Sequence, residues 1–255
     1  MSEKRYSMGV DFGTESGRSL LVEVETGREV ASCVHKYKNG VIDECLPESG
    51  VKLGHDWALQ DPADYIETLK KTIPAALKQS GVKAENVVGV AIDFTACTML
   101  PIAKDGTPLC MIPMFRKYPN AWVNLWKHHA AQPEADEINV KARKKDEKFL
   151  YRYGGKISSE WFFPKALQIL RESPDVYESA DKLMEAADWV ILQMTGNERR
   201  NSCTAGYKAM WDKREGFPSK KFFGSLDKRF ENIVDEKLSR RIYPLGGCAG
   251  GLTPA

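Results

Sequence analysis

The sequence lacks any run of about 18 apolar residues, so nothing in it reads as a membrane-spanning helix. It also lacks an export leader: the opening MSEKRYSMGVDFG is charged and leads straight into a strand-type run. There is no CxxC pair. The six cysteines, Cys33, Cys45, Cys97, Cys110, Cys203 and Cys248, are spread too widely for a disulfide framework or a zinc site. Of the four histidines only His128 and His129 are close, and adjacent residues diverge on a helix. Reduced thiols without an export signal point to the cytoplasm. Charge of one sign is missing too: 37 Lys and Arg face 35 Asp and Glu, a formal +2, which argues against a nucleic-acid binder. The basic run Lys141–Lys148 is broken by acids and reads as a solvated helix face. No G-x-x-x-x-G-K-[ST] occurs, which excludes a P-loop enzyme, and a protein kinase's glycine-rich loop and H-R-D segment are absent.

What remains is an ordinary globular composition, 42% hydrophobic and 28% charged over 255 residues, enough for one large domain or two small ones. Tyr6 to Asp11 and Arg18 to Glu25 read as strands around the turn-rich FGTESG, a hairpin, and Glu29 to Tyr37 reads as a third strand. Asp61-Pro62 opens a helix with apolar residues at Tyr65, Ile66, Leu69, Ile73 and Leu77, which Gly81 ends. Val87 to Phe94 is a continuous apolar run, expected of a buried central strand. Met99 to Ala103 and Leu109 to Pro113 suggest a further hairpin around KDGTP. Beyond Pro119 the chain reads as mostly helical, with helices over Asn120 to Ala131, Ala135 to Tyr151, Glu160 to Glu172 and Met184 to Met194, the last stopped by Gly196. The pattern indicates an α/β domain with a mixed sheet and no linker between clear domains. GGCAGGLTPA closes the sequence with Thr253-Pro254, a helix-start signal, as a truncated chain would show.

The strongest chemical signal lies in Asp11-Phe12-Gly13-Thr14-Glu15-Ser16-Gly17-Arg18. A carboxylate ends a strand, glycines permit a tight turn, and Thr14 and Ser16 add hydroxyls beside backbone N–H groups, a concavity suited to an anion. Arg18 adds a planar cationic fork for phosphate. Asp11 suits Mg²⁺, which keeps its waters and uses few carboxylates. The same residues also suit a plain hairpin turn. If they act together, the chemistry they fit is phosphoryl transfer.

GVDFGTESGR resembles the first phosphate motif of the actin-like ATPases, as used by the FGGY carbohydrate kinases. AIDFTACTMLP, PNAWVNLWKHH, GGKISSEWFFPK and CTAGYKAMW resemble segments of the ribulokinase branch of that family, in the right order over nearly the whole chain. The resemblance implies an α/β, ribonuclease H-like (actin-like ATPase) domain with a mixed β-sheet and helical additions, residues 1–255 forming the N-terminal, sugar-binding half. A second domain carrying the adenosine site would follow, with the ligands in the cleft between the two. The implied reaction is MgATP plus L-ribulose giving ADP and L-ribulose 5-phosphate, a step of L-arabinose catabolism. By position, Asp11, Gly13, Thr14, Ser16 and Arg18 meet Mg²⁺ and the ATP phosphates, and Glu15 shares the motif. Thr95, Ala96 and Cys97 line the sugar pocket, with Trp126, Glu160, Trp161 and Lys208 as further candidates.

Glu160 and Lys208 together supply the acceptors and donors a polyol needs, and either tryptophan can cover a sugar's C–H face. Plainer roles stay open: core packing for the tryptophans, a helix cap for Glu160, a surface position for Lys208, a buried strand end for Thr95 to Cys97. No catalytic residue is assigned. The family's general base is expected beyond Ala255, because Asp11, Asp56, Asp61 and Asp93 lack its motif context, and the chain alone is expected to be inactive. Expected partners are a small sugar and MgATP, with no nucleic acid and no membrane; a homo-oligomer is left open. Xylulokinase is the alternative within the family. A ribonuclease H-like nuclease using Asp11 and Asp93 is the alternative outside it.

Overall fold

The structure, a computed structural model, describes residues 4–254. In chain order it contains β1 (Tyr6–Phe12), β2 (Ser16–Glu23), β3 (Glu29–Lys36), β4 (Leu59–Gln60), α1 (Pro62–Ser80), β5 (Val87–Phe94), β6 (Met99–Ile102), β7 (Val123–Asn124) and α2 (Gln132–Lys144). It continues with α3 (Phe149–Arg152), α4 (Phe162–Glu172), α5 (Pro174–Ser179), β8 (Lys182–Glu185), α6 (Ala186–Thr195), β9 (Arg200–Asn201), α7 (Ser202–Lys208), α8 (Lys220–Leu226), α9 (Ile233–Lys237) and β10 (Ile242–Tyr243). The chain divides into two compact units, Met1–Val41 with Asp61–Thr95, and Ile42–Gln60 with Ala96–Ala255. None of the helices among the described residues is long and apolar enough to cross a membrane.

The first unit is a four-stranded sheet in the order β3-β2-β1-β5. β1 and β2 form the expected hairpin, paired antiparallel from Tyr6↔Glu23 to Phe12↔Gly17, and β5 runs parallel to β1. α1 starts as its residues dictate: Asp61 caps by accepting from the Ala63 N–H at 2.9 Å, Pro62 takes the first turn, and Gly81 closes it at φ 69°. Its buried face is Tyr65, Thr68, Thr72 and Ala76, while Ile66, Leu69, Ile73 and Leu77 are only half buried. Small side chains win that face because the sheet comes very close. A Cβ on Gly17 would lie 2.4 Å from Thr68 Cγ2, and the Ser19 hydroxyl donates to the Thr72 carbonyl at 2.9 Å. Thr68 and Thr72 turn their hydroxyls back onto the Asp64 and Thr68 carbonyls, so neither polar group is stranded.

β5 is a strand, as its apolar run predicts, but not a central one. It forms the edge of the sheet, and Val88 is 59% exposed. Continuous apolarity reports what a strand can bury, not whether both its faces are covered within this chain.

The second unit contains a sheet in the order β4-β7-β6-β8 and most of the helices. Its core gathers Trp122, Phe149, Phe162, Phe163, Phe222, Phe223 and Phe230. Two expectations fail here. Asn120 to Ala131 is not a helix but a 3₁₀ turn at Pro119–Ala121 followed by β7. There Leu59↔Asn124 and Gln60↔Val123 pair antiparallel, so a long-range ladder outweighs the helical spacing. Met99 to Ala103 does not form a hairpin with Leu109 to Pro113, which coils into 3₁₀ turns; it pairs instead with β8, from Met99↔Glu185 to Ile102↔Lys182. The Glu160 to Glu172 helix begins later, at Phe162, and the Ala135 to Tyr151 helix breaks into α2 and α3. The Met184 to Met194 helix begins at Ala186, its first residues belonging to β8, and Gly196 ends it in the left-handed region as expected. All six cysteines are free.

Candidate functional site

In the first unit the chemistry gathers where β1 ends. Asp11 and Arg18 are register partners across the hairpin, and the guanidinium Nε lies 3.1 Å from the Asp11 carboxylate, both side chains about half exposed. Between them the Gly13 N–H donates to the Ser16 carbonyl at 3.0 Å and closes the turn. The Glu15 carbonyl accepts from the Tyr37 N–H at 3.0 Å, and its carboxylate lies against Gly40, whose φ of 58° brings bare backbone alongside. Thr14 and Ser16 are half buried on the same turn. Beneath it Phe12, Tyr65 and Phe94 pack ring against ring, with centroids 4.9 to 5.7 Å apart, and Tyr65 in turn packs on Tyr37. This rigid floor keeps the turn's polar atoms facing outward. Burial, with the Asp11 and Asp64 carboxylates nearby, drives the Tyr37 hydroxyl's pKa well above its ordinary value, so it stays protonated.

On the parallel side Asp11 is the partner of Asp93, whose carboxylate accepts from the Phe94 N–H at 2.9 Å. The pair that a two-metal nuclease would use is thus adjacent in register, but Asp11 is already matched by Arg18. Among the described residues no group of three His, Cys, Asp or Glu could hold a metal by itself. A single hard oxygen donor such as the Asp11 carboxylate fits Mg²⁺ that keeps most of its waters.

The second unit holds an open pocket of about 620 Å³. Its walls include Tyr153, Glu160, Trp161, Tyr207, Lys208 and Trp211. Glu160 and Trp161 lie just ahead of α4, and Lys208 ends α7. Asn201 fixes α7 by capping the Thr204 N–H at 2.9 Å while its amide donates to Asp188 at 2.8 Å. The Lys208 ammonium lies 3.1 Å from the Glu160 carboxylate, with the side chains 12% and 20% exposed. Tyr153 stacks edge-on against Trp161 at 4.6 Å and donates to the Gly206 carbonyl at 2.7 Å, so two aromatic walls are locked to the helix that carries Lys208. A shielded, paired donor and acceptor between aromatic walls can hold a small polyol.

The structure thus brings Glu160, Trp161 and Lys208 together. Trp126 is half buried and is not part of that wall, and neither are Thr95, Ala96 or Cys97. Thr95 closes the first unit, and Ala96 opens this segment of the second. The Cys97 side chain is fully buried, and burial pushes its thiol pKa far up. His128 is sequestered as well. His128 accepts from the Ala58 N–H and, in the tautomer that this sets, donates to Gln168 at 2.9 Å, and burial lowers its pKa to about 3.

The sequence alone did not single out Lys165 and Glu185, two buried charged residues. The Lys165 ammonium donates to the Cys97 and Leu125 carbonyls, both at 2.7 Å, and the Glu185 carboxylate accepts from the Cys97 N–H at 3.0 Å. One signal was available: Lys165 stands alone in the apolar stretch WFFPKALQIL, nine residues of which, Phe162 to Leu170, are buried.

A family model described as "FGGY family of carbohydrate kinases, N-terminal domain" matches residues 6–227. The ribulokinase of Halalkalibacterium halodurans is 54% identical over 250 residues, which are 98% of this chain and 44% of that protein. The ribulokinase of Anoxybacillus flavithermus is 58% identical with the same coverage. This chain therefore spans under half the length of the curated relatives it matches. A gluconate kinase structure from Lactobacillus acidophilus superposes with a TM-score of 0.74 at 14% identity, over 98% of this chain and 44% of that one. At such identity the likeness is one of fold, and it agrees with the actin-like, ribonuclease H-like α/β expectation. The chain belongs to the FGGY family of carbohydrate kinases, whose N-terminal domain it carries.

Proposed function

We propose that this chain is the sugar-binding part of an ATP-dependent L-ribulokinase, serving L-arabinose catabolism in the cytoplasm. The observation that carries the reading is the Glu160–Lys208 pair set in an aromatic-walled pocket. Glu160 accepts from sugar hydroxyls and Lys208 donates to them, while Trp161 covers a C–H face. Trp126, Thr95, Ala96 and Cys97 are assigned to the sugar as well, on the family resemblance. In the first unit Thr14, Ser16 and Arg18 receive the ATP phosphates and Gly13 supplies the turn. Glu15 shares that site, and its backbone carbonyl braces the turn against the Tyr37 segment. Asp11 would hold Mg²⁺, directly or through water, and the bound ion would neutralise charge on the transferring group.

The names of the relatives favour ribulose over other ketopentoses. Calorimetric titration of the chain with a panel of ketopentoses tests the choice. L-Ribulose is expected to bind most tightly. Preference for D-xylulose would move the reading to a xylulokinase, and binding of none would remove the sugar site.

A further inference from the structure

Cys97 adopts φ 69°, in the left-handed region, although it is not glycine. For a residue with a side chain this conformation is strained and persists only where neighbours impose it. Both of its backbone polar groups are held by charged side chains. Glu185 takes the N–H and Lys165 takes the carbonyl. The same ammonium reaches the Leu125 carbonyl, one residue before Trp126. Lys165 therefore ties the Ala96–Cys97 turn to the Trp126 segment through one fully buried atom. Glu185 stands in β8 as the register partner of Met99, and its side chain reaches back two residues to the turn.

Burying a lysine and a glutamate is expensive, and a turn that only had to be compact could be built with glycine. The clamp instead fixes one conformation through charge-assisted hydrogen bonds. The Glu160–Lys208 pair lies near enough to act electrostatically on both Lys165 and Cys97. We propose that Lys165 and Glu185 are positioning residues for the sugar pocket, holding the Ala96–Cys97 turn and the Leu125–Trp126 segment in the arrangement the ligand meets. The inference rests on the sugar-binding reading above.

The test compares L-ribulose affinity by calorimetry with backbone amide exchange at Cys97 in the ligand-free chain. Glu185→Leu and Lys165→Met are each expected to weaken affinity about tenfold or more, equivalent to 1.4 kcal/mol, at temperatures where circular dichroism shows them folded. Glu185→Leu is also expected to speed Cys97 amide exchange, and Glu185→Gln, which keeps an acceptor, to leave it slow. Adding Cys97→Gly to Glu185→Leu is expected to recover affinity without recovering thermal stability, because glycine adopts this φ unaided. A folded Glu185→Leu chain that binds like the unaltered one overturns the inference. So does affinity that falls only in step with melting temperature and is not rescued. Should Glu185→Leu not fold, Glu185→Asp withdraws the carboxylate by one methylene and is read the same way. If the unaltered chain binds no L-ribulose, the functional reading fails on its own. The clamp is then judged by exchange alone, and a Cys97 amide that exchanges fast in the unaltered chain contradicts it.

Discussion

The two units build their candidate sites in opposite ways. In the first, the polar groups sit within eight residues of one hairpin, and the Asp11–Arg18 pair stays about half exposed. In the second, the groups come from segments as far apart as Cys97 and Glu185; Lys165 and Glu185 are buried, and Glu160 and Lys208 are largely shielded. A local, wet site contributes little to stability and is free to exchange its internal ion pair for a ligand. A non-local, dry site ties its geometry to the fold, since every buried charge must keep its partner.

The largest expected effect follows from that difference. Lys165→Met should cost about 2–6 kcal/mol, because it strands two buried carbonyls at about 1–3 kcal/mol each. Asp11→Asn should cost under about 1 kcal/mol, since water screens its pair with Arg18. Urea unfolding of both variants measures the contrast, and equal losses would erase the distinction between the units.

A smaller effect concerns pH. Burial, with Asp188 beside it, pushes the Glu185 carboxyl up to about 8, against an ordinary 4.5. The folded chain then holds a proton that the unfolded chain has released, so this group's contribution to stability falls as pH rises from about 4.5 to about 8. Asp188, raised to about 6 by its burial, acts in the same direction over a lower window. Buried Lys165, with its pKa lowered, acts in the opposite direction at higher pH. The difference in stability between the unaltered chain and Glu185→Gln isolates the first contribution. It should shrink from pH 5 to pH 8, and a constant difference would count against a protonated Glu185.

Legibility in the sequence follows the same division. The hairpin and its Gly13–Ser16 turn, the Asp61-Pro62 start of α1 and the Gly81 and Gly196 stops all depend on neighbours in sequence, and each stands where its residues place it. What depended on distant partners was not readable. The pairing of Val123–Asn124 with Leu59–Gln60 defeated a helical spacing, and the uncovered face of β5 left no mark in its composition. Glu160 and Lys208 were recognisable by family resemblance, but their 3.1 Å contact bridges 48 residues of chain. Lys165 and Glu185 were overlooked because their role is to hold the backbone of residues remote in sequence.

The division between the units is tested most directly by one calorimetric experiment, titrating L-ribulose into the unaltered chain, Asp11→Asn and Lys208→Met. Binding should persist in the first two and be lost in Lys208→Met, because the assigned sugar contacts include Lys208 and none of them lies in the Asp11–Arg18 turn. Undiminished binding by Lys208→Met, or loss in Asp11→Asn with Lys208→Met unaffected, would contradict the assignment.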